Sequence, residues 1–282
     1  MSDYRAILLD LDGTLLDDDG SVHPRTLASL RRAAARGVRV MIATGRSEAS
    51  AVPVIDRLGL DTPALIFNGA ALYCPRRRRL IEELTLDPVY LEGVLGFAEE
   101  RGYLSVVMCA GVKYAMAPRS EAERLALHDM AKLRIVPPEE MRHPRAIRVT
   151  LFSGVHGSAD EFAGEILGAV GNHAYVTHFP LSLLPAHRDS DLLVVDLHPP
   201  CLGKAEAFRV LEERYGIAPE EVIAVGDAPN DISMLEGAGL AVAMENALGD
   251  VKAAAARVIG PCDSDAIAVL VEEMFPWEEM FP

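Results

Sequence analysis

The chain has 282 residues, enough for about two domains at roughly 150 residues each. Half of it is hydrophobic and 24% is charged, which excludes collagen-like, low-complexity and generally disordered classes. Lys and Arg number 27 against 42 Asp and Glu, a formal net charge of −15, so the surface as a whole repels nucleic acid and anionic bilayers.

The first eighty residues alternate between two periods. Ala6 to Leu11 is a continuous apolar run closed by a Gly13 turn, as expected of a strand buried on both faces of a parallel sheet. Pro24 opens a helix over Arg25 to Arg36 that Gly37 ends. Val38 to Ala43 reads as a second buried strand, a further helix runs through Val52 to Leu58, and Ala64 to Phe67 supplies a third strand. This βαβαβ order predicts an α/β fold with a doubly wound parallel sheet. The one basic run, Arg76 to Arg79, reads as a solvated turn.

From about Leu84 the pattern changes. A helix over Pro88 to Arg101 precedes strands at Leu104 to Cys109 and Lys113 to Met116, then a helix over Glu121 to Lys132. Further strands fall at Ala146 to Phe152, Ala174 to Phe179 and Leu192 to Leu197, with a helix over Ala159 to Val170. Polar and apolar positions mix in these strands, which predicts a separate α+β domain with one exposed sheet face. Past Gly203 the first pattern returns. A helix over Lys204 to Tyr215 leads to a strand at Val222 to Val225, a helix at Ile232 to Gly237, a strand at Leu240 to Met244 and a helix at Leu248 to Ala256. The expected organisation is a core formed by residues 1–83 and 199–282, with residues 84–198 inserted as the second domain.

Cys74, Cys109, Cys201 and Cys262 have no paired or zinc-type spacing and read as scattered buried thiols. Asp10 and Asp12 break the first apolar run too early for a signal peptide, and no apolar stretch approaches the ~20 residues of a membrane span. A cytoplasmic protein is the expectation. At the C-terminus, Glu272 to Pro276 recurs as Glu278 to Pro282 around Trp277, which suggests a tail packing its aromatic residues on the core, with a self-association contact as the alternative.

In open α/β sheets, ligands bind beyond the carboxyl ends of the strands. The residues there are Asp10 with Asp12, Thr44 with Arg46, Asn68, and Asp227 with Asn230 and Asp231, while Lys204 heads the helix after the insertion. Carboxylates crowded at one rim repel unless something positive lies between them, and a divalent cation meets that need. Oxygen-only ligands favour a hard ion such as Mg2+, with Asp10 and Asp227 as its ligands. Asp10 can attack phosphorus once Mg2+ and Lys204 neutralise a phosphate dianion, and Asp12, two residues on, has the spacing of a general acid and base.

The segment Asp10-Leu-Asp-Gly-Thr-Leu, the Thr44-Gly-Arg46 strand end, Lys204 and Gly226-Asp-Ala-Pro-Asn-Asp231 resemble, in order, the four motifs of the haloacid dehalogenase (HAD) superfamily. ATGR, FNGA, GDAPNDISML and AMENA resemble its Cof-type branch, hydrolases with a large C2 (type IIB) cap. The resemblance implies Asp10 as nucleophile and metal ligand, and Asp12 as acid and base with its carbonyl on the metal. It implies that Thr44 binds the phosphoryl group, Lys204 neutralises it, Asp227 holds Mg2+, and Asp231 and Asn230 complete or order the site. Gly45, Arg46, Asn68 and Asn246 are further substrate-side positions. Around the lysine the chain reads Gly203-Lys204-Ala205 where the family usually has Ser-Lys-Gly.

The expected function is a Mg2+-dependent phosphatase acting on a small phosphorylated metabolite, foremost a sugar phosphate, through an aspartyl-phosphate. The partner is that metabolite alone, with neither nucleic acid nor membrane, in a monomer or a homodimer. The alternatives are a phosphomutase of the same fold and a non-catalytic metabolite-binding regulator. His173, His178, His187 and His198, and Arg119, Arg148 and Arg188, lack a pattern that assigns them a role.

Overall fold

Ala6–Leu9 (β1) has four apolar side chains with 0% exposure, and this strand organises the larger half of the molecule. In the computed structural model, which describes residues 4–276, it is followed by α1 (Pro24–Ala35), β2 (Arg39–Ile42), α2 (Glu48–Leu58), β3 (Ala64–Ile66), β4 (Ala71–Cys74) and β5 (Arg79–Glu83). Next come α3 (Pro88–Arg101), β6 (Leu104–Cys109), β7 (Val112–Ala115), α4 (Glu121–Leu127), β8 (Leu133–Ile135), β9 (Arg148–Ser153), α5 (Ala159–Val170), β10 (Tyr175–Pro180) and β11 (Leu193–His198). The chain ends with α6 (Glu206–Tyr215), β12 (Val222–Gly226), α7 (Ile232–Gly237), β13 (Leu240–Met244), α8 (Gly249–Ala254), β14 (Arg257–Ile259) and α9 (Ala266–Met274).

The chain forms two compact units. One holds the residues up to Arg46, Ala51–Ile81 and those from Leu202 on; the other holds Ser47–Ser50 and Glu82–Cys201.

In the first unit the five strands run β14-β13-β12-β1-β2, and every neighbouring pair is parallel. Ala6, Leu8, Val222 and Ala224 pack with Ala207, Val210 and Leu211 of α6. Ile7 and Leu9 point to the opposite face and are equally buried, so both faces of β1 are covered. Arg25 and Ser29 of α1 bond Glu272 of α9, which gives the first copy of the C-terminal repeat a structural role. Trp277 and the second copy lie outside the described residues. β1 neighbours both β2, which follows it through α1, and β12, which arrives from the far end of the chain; the strand order reverses between them. That reversal is where an α/β sheet opens a crevice for ligands.

The second unit has a six-stranded sheet in the order β10-β11-β9-β6-β7-β8. Val107, Cys109, Val149, Leu151, Val195 and Leu197 form a core with Val94, Leu95 and Ala98 of α3 and Phe162 and Ile166 of α5. The polar residues alternating with them are not exposed, contrary to expectation. Lys113 is 6% exposed, Arg148 9%, Asp196 5% and His198 0%. Alternation records the chemistry of a sheet face and not whether water reaches it.

Other differences are local. The helix expected to reach Lys132 ends at Leu127, and Lys132 takes a left-handed φ of 58° before β8. Lys204 sits in a 3-10 turn, Gly203–Ala205, and the α-helix begins at Glu206. Cys74 and Cys109 are buried, Cys201 and Cys262 half-buried, and all four are free thiols. Among the described residues no helix is long and apolar enough to cross a membrane.

Candidate active site

Asp10 follows β1 directly and Asp227 follows β12, so the parallel pairing of these strands brings the two carboxylates to the same rim. The Asp10 amide donates to the Val225 carbonyl at 3.1 Å, extending the ladder by one step. Asp10, Asp227 and Asp231 each offer an oxygen within 4.8 Å of the others.

Lys204 is 1% exposed, and its ammonium donates to Asp10 Oδ1 at 2.7 Å and to Asp231 Oδ1 at 2.6 Å. Burial alone would push this lysine down, but the charges and hydrogen bonds of Asp10 and Asp231 together hold it above its ordinary range. Burial holds Asp10 well above the usual carboxylate range; Lys204 opposes this, and Asp231, Asp227 and Asp12 add to it. Burial and the Asp231 charge push Asp227 up to about 6, against the Thr14 hydrogen bond and Lys204. One ammonium thus faces three carboxylates. The excess of negative charge, held on hard oxygen donors, fits a divalent cation of the Mg2+ type.

Asp231 is 0% exposed and also braces the backbone, because its Oδ2 accepts the amides of Asp227 and Ala228, both at 2.9 Å. It caps the 3-10 turn Pro229–Asp231 and fixes the loop that carries Asp227, whereas α7 receives no side-chain cap from it. Asp227 Oδ1 accepts the Thr14 hydroxyl at 2.8 Å. The sequence assigns Thr14 no role, although a hydroxyl set among Leu11, Leu15 and Leu16 is a signal of a polar partner, and the structure buries it fully. Gly13 has φ +75°, and a Cβ there would lie 2.4 Å from Asp227 Oδ2, so only glycine lets these two loops meet. Asn246 bonds the Gly13 carbonyl at 2.7 Å and accepts the Cys262 amide at 3.0 Å, which makes it a clamp on the same loop.

The Asp12 carboxylate does not join the three. It is half exposed, and Arg46 grips both its oxygens, Nε to Oδ2 at 2.8 Å and Nη2 to Oδ1 at 2.5 Å. Thr44 is 1% exposed; its hydroxyl accepts the Arg46 amide at 3.1 Å and its carbonyl accepts the Asn68 amide at 3.0 Å. Asn68 takes a left-handed φ of 51°, and its Oδ1 accepts from Asn230 Nδ2 at 2.9 Å. A Cβ on Gly45 would lie 3.0 Å from that Oδ1. The structure therefore brings Asp10, Lys204, Asp227 and Asp231 into one cluster and Thr44, Asn68 and Asn230 into one bonded chain. Arg46 is seated on Asp12.

The model of the haloacid dehalogenase-like hydrolase family matches residues 7–271. The chain belongs to that family, and it is an enzyme of the phosphatase branch. It is 32% identical to the pyridoxal phosphate phosphatase YbhA of Escherichia coli, over 95% of this chain and 97% of that one. It is 29% identical to the 5-amino-6-(5-phospho-D-ribitylamino)uracil phosphatase YitU of Bacillus subtilis, covering 95% and 97%. The solved structure of the HAD subclass IIB sugar phosphatase BT4131 is similar over 95% of this chain and 98% of that one, with a TM-score of 0.78 and 25% identity.

Proposed function

We propose that this chain hydrolyses the phosphate monoester of a small metabolite, foremost a sugar phosphate, with Asp10 as nucleophile and Mg2+ as cofactor. The observation that carries this reading is Lys204 between Asp10 and Asp231 with Asp227 at the same rim: a cluster short of positive charge and arranged to take a metal and a dianion together. The relatives named above act on a pyridoxal phosphate, a phosphoribitylaminouracil and a sugar phosphate. These substrates share a phosphate ester on a small polar body.

Asp10, Asp227 and Asp231 would hold the cation, Asp231 chiefly by fixing the loop. Bound there, Mg2+ supplies positive charge that lets an anionic phosphate approach a carboxylate. Lys204 aligns Asp10 by its hydrogen bond to Oδ1 and neutralises the phosphoryl oxygens. An Asp10 oxygen forms the bond to phosphorus as the ester P–O bond breaks, and Asp12 gives its proton to the departing alkoxide. Asp12 then takes a proton from the water that attacks the aspartyl-phosphate, which releases phosphate and restores Asp10. Substrate choice is assigned to the inserted segment 84–198. The strongly negative charge fits a small-molecule enzyme of the cytoplasm with no nucleic-acid partner.

The test is phosphate release from a panel of phosphorylated metabolites, in Mg2+ and in EDTA, for the native enzyme and Asp10→Asn. Turnover that needs Mg2+ and vanishes in the variant supports the reading. Equal turnover in both proteins overturns it.

A further inference from the structure

The floor of the core sheet, at the strand ends away from the catalytic rim, gathers positive charge in a chain that is strongly acidic as a whole. Because β1 and β2 run parallel, Arg5, just before β1, and Arg39, which opens β2, lie at one end, while Asp10 and Thr44 lie at the other. At about 3.3 Å per residue, Arg5 is roughly 16 Å from Asp10, so floor and rim are separate places. A cavity of about 470 Å3 opens at the floor, within the roughly 300–1,000 Å3 usual for small-molecule sites. Arg5, Arg36, Arg39 and Arg214 line it with Tyr4 and Tyr215, and none of its described lining residues is acidic. All of them belong to the first unit.

Part of this charge has a local explanation. Arg5 pairs with Glu221 at 3.1 Å and donates to the Gly216 carbonyl at 2.8 Å. Arg36 is the C-cap of α1 and Arg214 stands in the last turn of α6, where a cation offsets the negative end of a helix dipole. Arg39 sits at no helix end. It is half-buried, its guanidinium lies 4.5 Å from the centroid of the Tyr215 ring, and no described residue gives that guanidinium a hydrogen bond or an ion pair. Stacking uses the flat face of a guanidinium and leaves the donors on its edge. Burial raises the Tyr215 phenol, and Arg39, Arg214 and Arg76 oppose that rise, so three guanidinium fields converge on one ring. A lone phosphate is satisfied by one or two arginines. Several guanidiniums around a cavity of this volume, with two phenol rings in its wall, match a longer anion that also carries a flat ring.

We propose that the floor cavity binds a nucleoside di- or triphosphate, with phosphate oxygens on the edge of Arg39 and on the neighbouring Arg36 and Arg214, and the base against the tyrosine rings. The site is distinct from the catalytic rim and uses none of its residues.

The probe is the β,γ-imido analogue of ATP, which resists hydrolysis, titrated calorimetrically into the protein in EDTA. Native protein and Asp10→Asn should bind it with the same Kd, while Arg39→Gln weakens it about tenfold, the scale of one lost charged hydrogen bond. Arg134→Gln removes the same charge from an exposed position in the inserted unit and should leave Kd unchanged. Adenosine and inorganic pyrophosphate should each bind more weakly than the whole analogue.

No binding by the native protein overturns the proposal. Equal weakening in Arg134→Gln would show a diffuse charge effect, and weakening in Asp10→Asn would place the ligand at the catalytic rim; either result overturns it as well. Pyrophosphate binding as tightly as the analogue overturns the assignment to a nucleotide. Arg39→Gln should unfold at the same urea concentration as the native protein, since it breaks no described hydrogen bond or ion pair, and this separates lost binding from lost folding. The titration needs no turnover, so its outcome is independent of the phosphatase reading.

Discussion

Arg46 holds both carboxylate oxygens of Asp12 across 34 positions of sequence, while the Thr44 hydroxyl accepts the Arg46 main-chain amide. A paired, planar guanidinium fixes the direction of the Asp12 carboxylate, which a lysine cannot do from a single point. Arg46→Lys and Arg46→Ala should both lower kcat by about ten- to a hundredfold, the scale of a lost charged hydrogen-bond pair, with a smaller effect on KM. Steady-state kinetics on any substrate found in the panel checks this. A loss confined to KM would place Arg46 on the substrate instead.

Lys204 is the sole described cation bonded to the buried acids Asp10 and Asp231. Lys204→Met would leave those carboxylates without their ammonium, and breaking a buried pair from one side typically costs about 3–5 kcal/mol. Metal-free Lys204→Met should therefore unfold at clearly lower urea than the native protein. An unchanged midpoint would mean that the acids are protonated in the native fold.

Gly13→Ala tests the contact between the two motif loops. The added Cβ would meet Asp227 Oδ2 at 2.4 Å, and the backbone there has φ +75°. Strain of about 1–2 kcal/mol from φ alone lowers the melting temperature. Displacement of Asp227 should also raise the Mg2+ concentration needed for half-maximal rate. Calorimetry and a Mg2+ titration separate the two effects.

In the inserted unit, Glu165 accepts hydrogen bonds from Tyr103 Oη at 2.7 Å and His156 Nε2 at 2.7 Å, with Arg101 at 3.2 Å. The Tyr103 bond foremost, then His156 and Arg101, hold its carboxyl below the ordinary 4.5. A carboxyl lowered on folding contributes stability that is fully present above the ordinary value and lost as pH falls through the folded one. Native protein should thus be more stable than Glu165→Gln at pH 6, and the gap should narrow below about pH 4.5. Urea midpoints across that range read it directly.

The core was legible because its strands are buried on both faces. AILL at β1 and VIAVG at β12 are unbroken apolar runs, and the residues just beyond them include Asp10 and Asp227. What escaped the sequence was set by distance or by brevity. β14 has three residues, too few for any period to show, and β4 and β5 flank an arginine run that hides them. The apolar run of α9 fits a strand as well as a helix, and the structure makes it a helix over Ala266–Met274. Thr14 on Asp227 and Asn230 on Asn68 are side-chain contacts between motifs, and nothing local to either motif encodes them. Lys204 was found by its charge, but its 3-10 turn was not, because Lys-Ala-Glu-Ala reads as good α-helix from its first residue.

The position of β1 between β2 and β12 also sets an order of events on the ribosome. Ala6 emerges early, yet the Val222 it pairs with is made last but for the final sixty or so residues. At translation rates the interval is roughly 10 to 40 s, during which the edge of β1 that faces β12 has no partner. The inserted unit has no such wait, since Glu82–Cys201 contains every strand of its sheet. It can fold while the core sheet still lacks β12, β13 and β14, and a chaperone that shields an unpaired strand edge would have the most to do in that interval.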